Sequence, residues 1–338
     1  MRRNFTTSCD WRNLSRGAPA CAPGAGRHAG LPLHNSAKCQ RKTATILTLL
    51  AVLAVLSAAC ATKRADRADA RIVTDELGRA VRVVPNLQRI ISLAPSVTET
   101  LYALGLEERI VGVTAYCDYP PEARSKESVG DTQRPGLEKI VALKPDLVIA
   151  STASQLEEFV RKLDEAGVPI YVSNPHNLEG VLASIVHIGE LAGVPDRARE
   201  VAGQLRERID RVNSRVAGLE PPRVFFILGS EPLFTAGGTS FVNDLITRAG
   251  GRSISADDKL EYPQYSMETA IARQPEIIFL QAGEASLPDR LKETPAAWAG
   301  RVYRLDDALL LRPGPRIVDG LEELAAKIHP EAFEGAEK

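Results

Sequence analysis

Residues 138–150 read EKIVALKPDLVIA, and residues 268–280 read ETAIARQPEIIFL. Each runs from a glutamate through an apolar stretch at helical spacing to a proline, an acidic residue and an unbroken apolar run. Glu138 and Glu268 each stand seven residues before their proline, Pro145 and Pro275, and the offset between the copies is 130 residues without a gap. Proline cannot continue a helix, so the helical stretch ends before it. The apolar run that follows does not alternate, which marks a strand covered on both faces of a parallel sheet. A second strand-led unit precedes each copy: RIISLAPSVTETLYALG at 89–105 and RVFFILGSEPLFTAGGTSFVNDLITRAGG at 223–251. Both pass from an apolar strand through a loop to a helix that ends at glycine. The chain therefore reads as two copies of a small α/β lobe.

Within 89–105, Ile90–Leu93 predicts a strand and Val97–Leu104 a helix, with Ser96 or Thr98 placed to cap it and Gly105 at its end. The turn between them is Ala94-Pro95-Ser96. Proline has no N–H and fixes its own φ, so this turn makes a poor phosphate cradle. No G-x-G-x-x-G follows a strand, and G-x-x-x-x-G-K-[ST], G-x-S-x-G and H-E-x-x-H are all missing from the sequence.

Between the copies, Leu178, Val181, Leu182, Ile185, Ile188 and Leu191 share one side of a helical stretch. After Pro195 a second stripe follows: Ala198, Val201, Ala202, Leu205, Ile209, Val212 and Val216, opposite a face crowded with Arg and Glu. Such a helix of about 20 residues spans about 30 Å, enough to cross from lobe to lobe. The alternative is a surface helix of one lobe. The connector reading divides the chain into a leader and signal over 1–59, a tether over 60–79, an N-terminal lobe over 80–195, an interlobe helix over 196–218 and a C-terminal lobe over 219–338.

The formal net charge of the 338 residues is −1, but residues 1–59 carry eight Lys or Arg and one Asp. The remaining 34 basic and 42 acidic residues give −8, which argues against nucleic acid as a partner. Lys38, Arg41 and Lys42 precede TATILTLLAVLAVLSAACAT at 43–62, a basic start, an apolar core and a small-residue exit of the secretory kind. The exit LSAAC resembles a bacterial lipobox, with Leu56 one position further from Cys60 than the pattern prefers. It predicts lipidation at Cys60. After Cys60 only Cys117 remains, so no intrachain disulfide can form beyond it.

RIISLAPSVTETLYALG, VGVTAYCDYPPEA at 111–123, LEKIVALKPDLVIA at 137–150, the interlobe helix and RPGPRIVDGLEEL at 312–324 together resemble a known family. It is the helical-hinge class of substrate-binding proteins that serve ABC importers of cobalamin, ferric siderophores and haem. YCDYPPEA followed by LEKIVALKPDLVIA is most similar to the cobalamin-binding members. The resemblance covers about residues 80–330 and implies an α/β fold of two Rossmann-like lobes, with the ligand in the cleft between them. The rival class, an α/β metal-cofactor enzyme, would need the catalytic signatures that this sequence lacks, and the resemblance implies no resident cofactor, cobalamin or another small metal chelate being the cargo. The implied partner is a permease dimer, the location is outside the cytoplasmic membrane, and Cys60 supplies the only membrane contact.

Carried onto this sequence, the resemblance places Pro95 and Ser96 on the cleft floor and Tyr116, Phe234 and Tyr262 against the ligand. Tyr119 and Pro120-Pro121 would shape a loop. Arg312 would be either a cleft cation or the partner of a nearby carboxylate. Where cobalamin-binding members often bring tryptophan, this chain has Thr132 and Ser151, with Asp131, Gln133 and Arg134 adding charge and hydrogen bonding. A siderophore would find cations at Arg134, Arg252 and Arg312, and haem an axial ligand at Tyr116 or His176. Glu138 and Glu268 correspond to the glutamates with which family members meet arginines of the permease. Each could equally be a helix-start residue favoured by the dipole.

Overall fold

The computed structural model describes residues 70–334, apart from residue 133, residues 152–155 and residues 284–285. Cys60, the leader and signal expected over 1–59, most of the expected tether and Gln133 lie outside the described residues.

The chain opens with an antiparallel hairpin, β1 (Arg71–Thr74) and β2 (Ala80–Val83). Its turn is closed by buried Asp75, whose carboxylate accepts from the Leu77 and Arg79 amides and from the Arg79 guanidinium. Glu76 then accepts from the Asn174 amide and, at 2.6 Å, from Ser184 Oγ. Residues 71–79 are thus fastened to the N-terminal lobe, and a tether over 60–79 is too long by that stretch. In β2, Val81 and Val83 alternate with exposed residues and enter the core, whereas β1 stays largely exposed and the turn is closed by carboxylates.

The N-terminal sheet is wholly parallel, in the order β4 (Ile110–Val113), β3 (Ile90–Ser92), β5 (Leu147–Ser151), β6 (Ile170–Ser173). The C-terminal sheet repeats that order with β9 (Arg252–Ser253), β7 (Arg223–Ser230), β10 (Ile277–Gln281) and β11 (Val302–Leu305). One further strand, β8 (Leu233–Thr235), pairs antiparallel with β7. Successive residues of the central strands enter different cores. Leu147 and Ile149 face one, Val148 and Ala150 another; likewise Val224 and Phe226 oppose Phe225 and Ile227. Two-sided burial is what the unbroken apolar runs predict.

The 130-residue offset holds in the backbone. Helix α2 (Leu137–Ala142) matches α7 (Met267–Ala272), β5 matches β10, and the left-handed residues Lys144 (φ 47°) and Gln274 (φ 49°) fall at the same place. The acidic residue after each proline has a shared task. Asp146 accepts from the Gln88 and Arg89 amides, and Glu276 from the Arg223 amide at 2.8 Å. Those arginines return the favour, donating to the carbonyls of Leu143 and Gln274 at the helix ends.

Helix α1 (Pro95–Ala103) begins two residues earlier than expected. Ala94 is its N-cap and Pro95 its first residue, so neither Ser96 nor Thr98 caps it. Proline's preset φ suits a first helical position, and Thr98 Oγ1 instead bonds Ser92 Oγ and the Ala94 carbonyl. Its end is as read: Gly105, at φ 71°, donates to the Tyr102 carbonyl while the Leu106 amide reaches Leu101.

Helix α4 (Leu178–Leu191) and helix α5 (Pro195–Val216) bury every residue of the two predicted stripes. The 22 residues of α5 span about 33 Å. It packs on α4 in one lobe and on α10 (Ile317–Ile328) in the other. Arg208 is bidentate to Glu322 and also pairs with Asp319 of α10, while Arg206 pairs with Glu179 of α4. A single apolar core runs from the N-terminal lobe along α5 into the C-terminal lobe.

Candidate functional site

Open parallel sheets bind ligands beyond the carboxyl ends of their strands, where the loops are free to vary. In the N-terminal lobe, β3 leads to Pro95 and Ser96, and β4 to the loop that holds Tyr116. The Ala115 amide donates to the Gly130 carbonyl at 2.8 Å, which lays that loop beside the segment containing partly buried Thr132. Cys117 turns inward against Thr114, leaving Tyr116 58% exposed.

The C-terminal lobe builds its edge differently. In β8, Leu233 and Thr235 are buried while Phe234 between them points outward. Residues 256–262 lie directly on Gly237 and Gly238, whose amides donate to the Glu261 and Asp258 carbonyls at 2.9 Å. A Cβ on either glycine would come within about 2 Å of the Leu260 or Ala256 carbonyl oxygen, so no other residue permits this approach. The segment presents Leu260, 65% exposed, beside Tyr262. The Tyr262 phenol is pushed up to about 12, first by desolvation and then by the neighbouring Glu261 carboxylate. It is a neutral hydroxyl on a ring, suited to packing and hydrogen bonding. No periodicity marks Leu260 in its polar stretch; the Gly237-Gly238 pair is the signal the sequence offers.

The lobes meet along the stretch Leu311–Arg316. Gly314 rests on Ser96, where an added Cβ would stand 3.0 Å from the Ser96 carbonyl oxygen. Ser96 is buried by that contact, and Pro95 is half-buried. Arg312 bonds Asp118 at 2.5 Å and lies 3.8 Å from Glu99. Arg316 is bidentate to Glu99 at 2.7 and 3.1 Å, and its guanidinium covers the Tyr119 ring at 3.8 Å. Burial holds the Glu99 carboxyl above the usual range despite both arginines, whereas the hydrogen bond from Arg312 holds Asp118 below it. Arg312 thus has a carboxylate partner in Asp118. Glu99, Tyr119 and Arg316 escaped the sequence reading as a set because 217 residues separate the ion pair.

Glu138 and Glu268 both occupy exposed first turns, of α2 and α7. Each helix runs into the amino end of its strand, so its own start lies toward the carboxyl edge. Ser266 caps α7 and donates to Glu268, which also pairs with Arg290; that bond takes its carboxyl down to about 2. Glu138 has no such partner among the described residues. His176 sits in an exposed loop beside Asn174, and His329 is buried against the Gly250 carbonyl. A concavity of about 610 Å³ lies under the hairpin, lined in part by Arg79, Asp146 and Ile170, at the opposite, amino edge of the sheet.

A family model for periplasmic binding proteins matches residues 90–309. A vitamin B12-binding protein of Yersinia pestis (strain Pestoides F) is 32% identical over 245 residues, covering 71% of this chain and 86% of that protein. Among solved structures, the periplasmic vitamin B12 binding protein of Vibrio cholerae superposes with a TM-score of 0.64 at 32% identity, over 73% of this chain and 98% of that one. A periplasmic haem-binding protein from Roseiflexus sp. RS-1 superposes with a TM-score of 0.66 at 30% identity, over 72% and 99%. The family match takes in Pro95, Tyr116, Phe234 and Tyr262 but stops short of Arg312.

Proposed function

This chain belongs to the periplasmic binding protein family, and from that premise we propose that it captures a corrinoid between its lobes and delivers it to an ABC importer. The observation that carries the reading is a set of large side chains exposed on loops at the carboxyl edges of the two sheets, Tyr116 on one lobe and Phe234, Leu260 and Tyr262 on the other. Two apolar edges suit a broad, flat macrocycle. The neutral Tyr262 phenol favours a cargo that brings its own axial ligands, as a corrinoid does.

Haem is the second reading, supported by the haem-binding relative and by the open Tyr116 as an axial ligand. Calorimetric titration of the purified protein with cyanocobalamin, cobinamide, haemin and a ferric siderophore separates the readings. One corrinoid per chain, at micromolar affinity or better, is expected; tighter haemin or siderophore binding would overturn it. Glu138 and Glu268 are assigned to contact the two permease subunits, and Cys60 to a lipid anchor outside the cytoplasmic membrane. A tagged fatty acid should label the wild type and spare Cys60→Ala.

A further inference from the structure

Glu99 sits in the middle of α1 with its side chain only 2% exposed. A carboxylate taken so far from water costs several kcal/mol unless a partner compensates. The partner comes from the other lobe: Arg316 supplies two parallel bonds, and the same guanidinium lies over Tyr119. Four residues earlier, Arg312 holds Asp118. One C-terminal strap therefore grips both the helix that follows the Pro95 turn and the loop that carries Tyr116.

The lobes do not need this contact to stay joined, since the apolar stripe of α5 runs through both. What a planar, bidentate arginine adds is direction more than adhesion. We propose that Arg316 is a positioning residue for the ligand site: through Glu99 and Tyr119 it fixes the Tyr116–Tyr119 loop against the strap, so that affinity depends on a side chain that does not touch the ligand. The proposal rests on the reading of Tyr116 as a ligand contact, and its test is arranged so that the two can fail separately.

The first measurement needs no ligand. In hydrogen exchange of the purified protein, Arg316→Ala should speed the amides of residues 115–119 by about tenfold or more through a local opening, while β5 and β10, which exchange through global unfolding, stay far slower and change only by the variant's loss of overall stability. Tyr119→Leu leaves the Glu99–Arg316 pair intact and should speed the same amides; Tyr119→Phe keeps the ring and should match the wild type. The second measurement is titration with cyanocobalamin. Arg316→Ala and Tyr119→Leu should bind about tenfold more weakly, and Arg316→Lys, which keeps charge without the fork, should recover only part of that loss. Unchanged exchange at 115–119, or acceleration spread evenly through both lobes, overturns the proposal, as does full affinity in both variants. A wild-type chain that ignores cyanocobalamin overturns the corrinoid reading instead, and the exchange result then judges the clamp alone.

Discussion

Removing Arg316 should expose how much the interlobe ion pair contributes to stability, and the effect should depend on pH in a definite direction. Breaking a buried pair by deleting one partner costs about 3–5 kcal/mol, because the other charge stays behind unpaired. Arg316 keeps 17% of its side-chain exposure and Arg312 remains 3.8 Å from Glu99, so the low end applies. For a chain of this size about 3 kcal/mol corresponds to a loss of roughly 4–6 °C in Tm.

The pH dependence follows from Glu99. Its carboxyl already lies above the usual carboxylate range in the folded protein, raised by desolvation and nearby Asp118 and opposed by Arg316 and Arg312. Arg316→Ala removes the foremost of the opposing influences, so the carboxyl rises further. A group whose pKa is raised by folding adds stability that is fully present below its unfolded value and lost as pH rises through the folded one. The variant thus carries its whole deficit at pH 7.5 and part of it at pH 5. Calorimetric scans of ligand-free wild type and Arg316→Ala at both values should show the gap in Tm narrowing at pH 5. A gap that is constant or wider at pH 5, or smaller than about 2 °C at pH 7.5, would refute the assignment of Glu99 as a buried charge dependent on Arg316.

Ile209, 2% exposed on the interlobe helix, should cost about 2–5 kcal/mol as Ile209→Ala in urea denaturation. Arg211→Ala on the exposed face of that helix should stay within about 0.5 kcal/mol of wild type. Phe234→Ala and Tyr262→Ala should each weaken corrinoid binding by about 1–3 kcal/mol, roughly 5- to 150-fold in titration. Tyr262→Phe should bind nearly as the wild type, since the phenol is not an anion. Glu138→Ala and Glu268→Ala should each lower cellular uptake while calorimetric affinity stays unchanged; normal uptake by either variant would remove that residue from the docking surface.

The features legible in the sequence were those that repeat locally. Glu138, Pro145 and Asp146 recur as Glu268, Pro275 and Glu276 because each lobe needs the same helix end, left-handed turn and strand anchor. The stripe from Ala198 to Val216 was readable because an apolar face 22 residues long imposes its own period. The hairpin at 71–83 was not, since only β2 buries an apolar pair, Val81 and Val83, and Asp75 and Glu76 place the rest. Nor was the clamp: Glu99 looks like any helical glutamate until a loop 217 residues away closes over it. Leu260 stood in a polar stretch, and only the close seat on Gly237 and Gly238 turns it outward at the edge.

The 130-residue correspondence also has a boundary, and its position bears on how the molecule works. It governs α2 with α7 and β5 with β10, the elements whose first turns bear Glu138 and Glu268. It lapses at the carboxyl edges. There the C-terminal lobe adds antiparallel β8, shortens β9 to two residues and sends out the strap that ends at Arg316, with no counterpart of the Tyr116–Tyr119 loop. On the proposed function the division has a physical basis. Two like permease subunits call for like charges presented twice, which orient a docked protein more than they tighten it. A single asymmetric cargo calls for two unlike walls. The lobes can keep a common scaffold for the first task only if the second is left to loops, and those loops then need something other than the repeat to hold them in register. The Glu99–Arg316 pair, crossing from one copy to the other, is placed to do that.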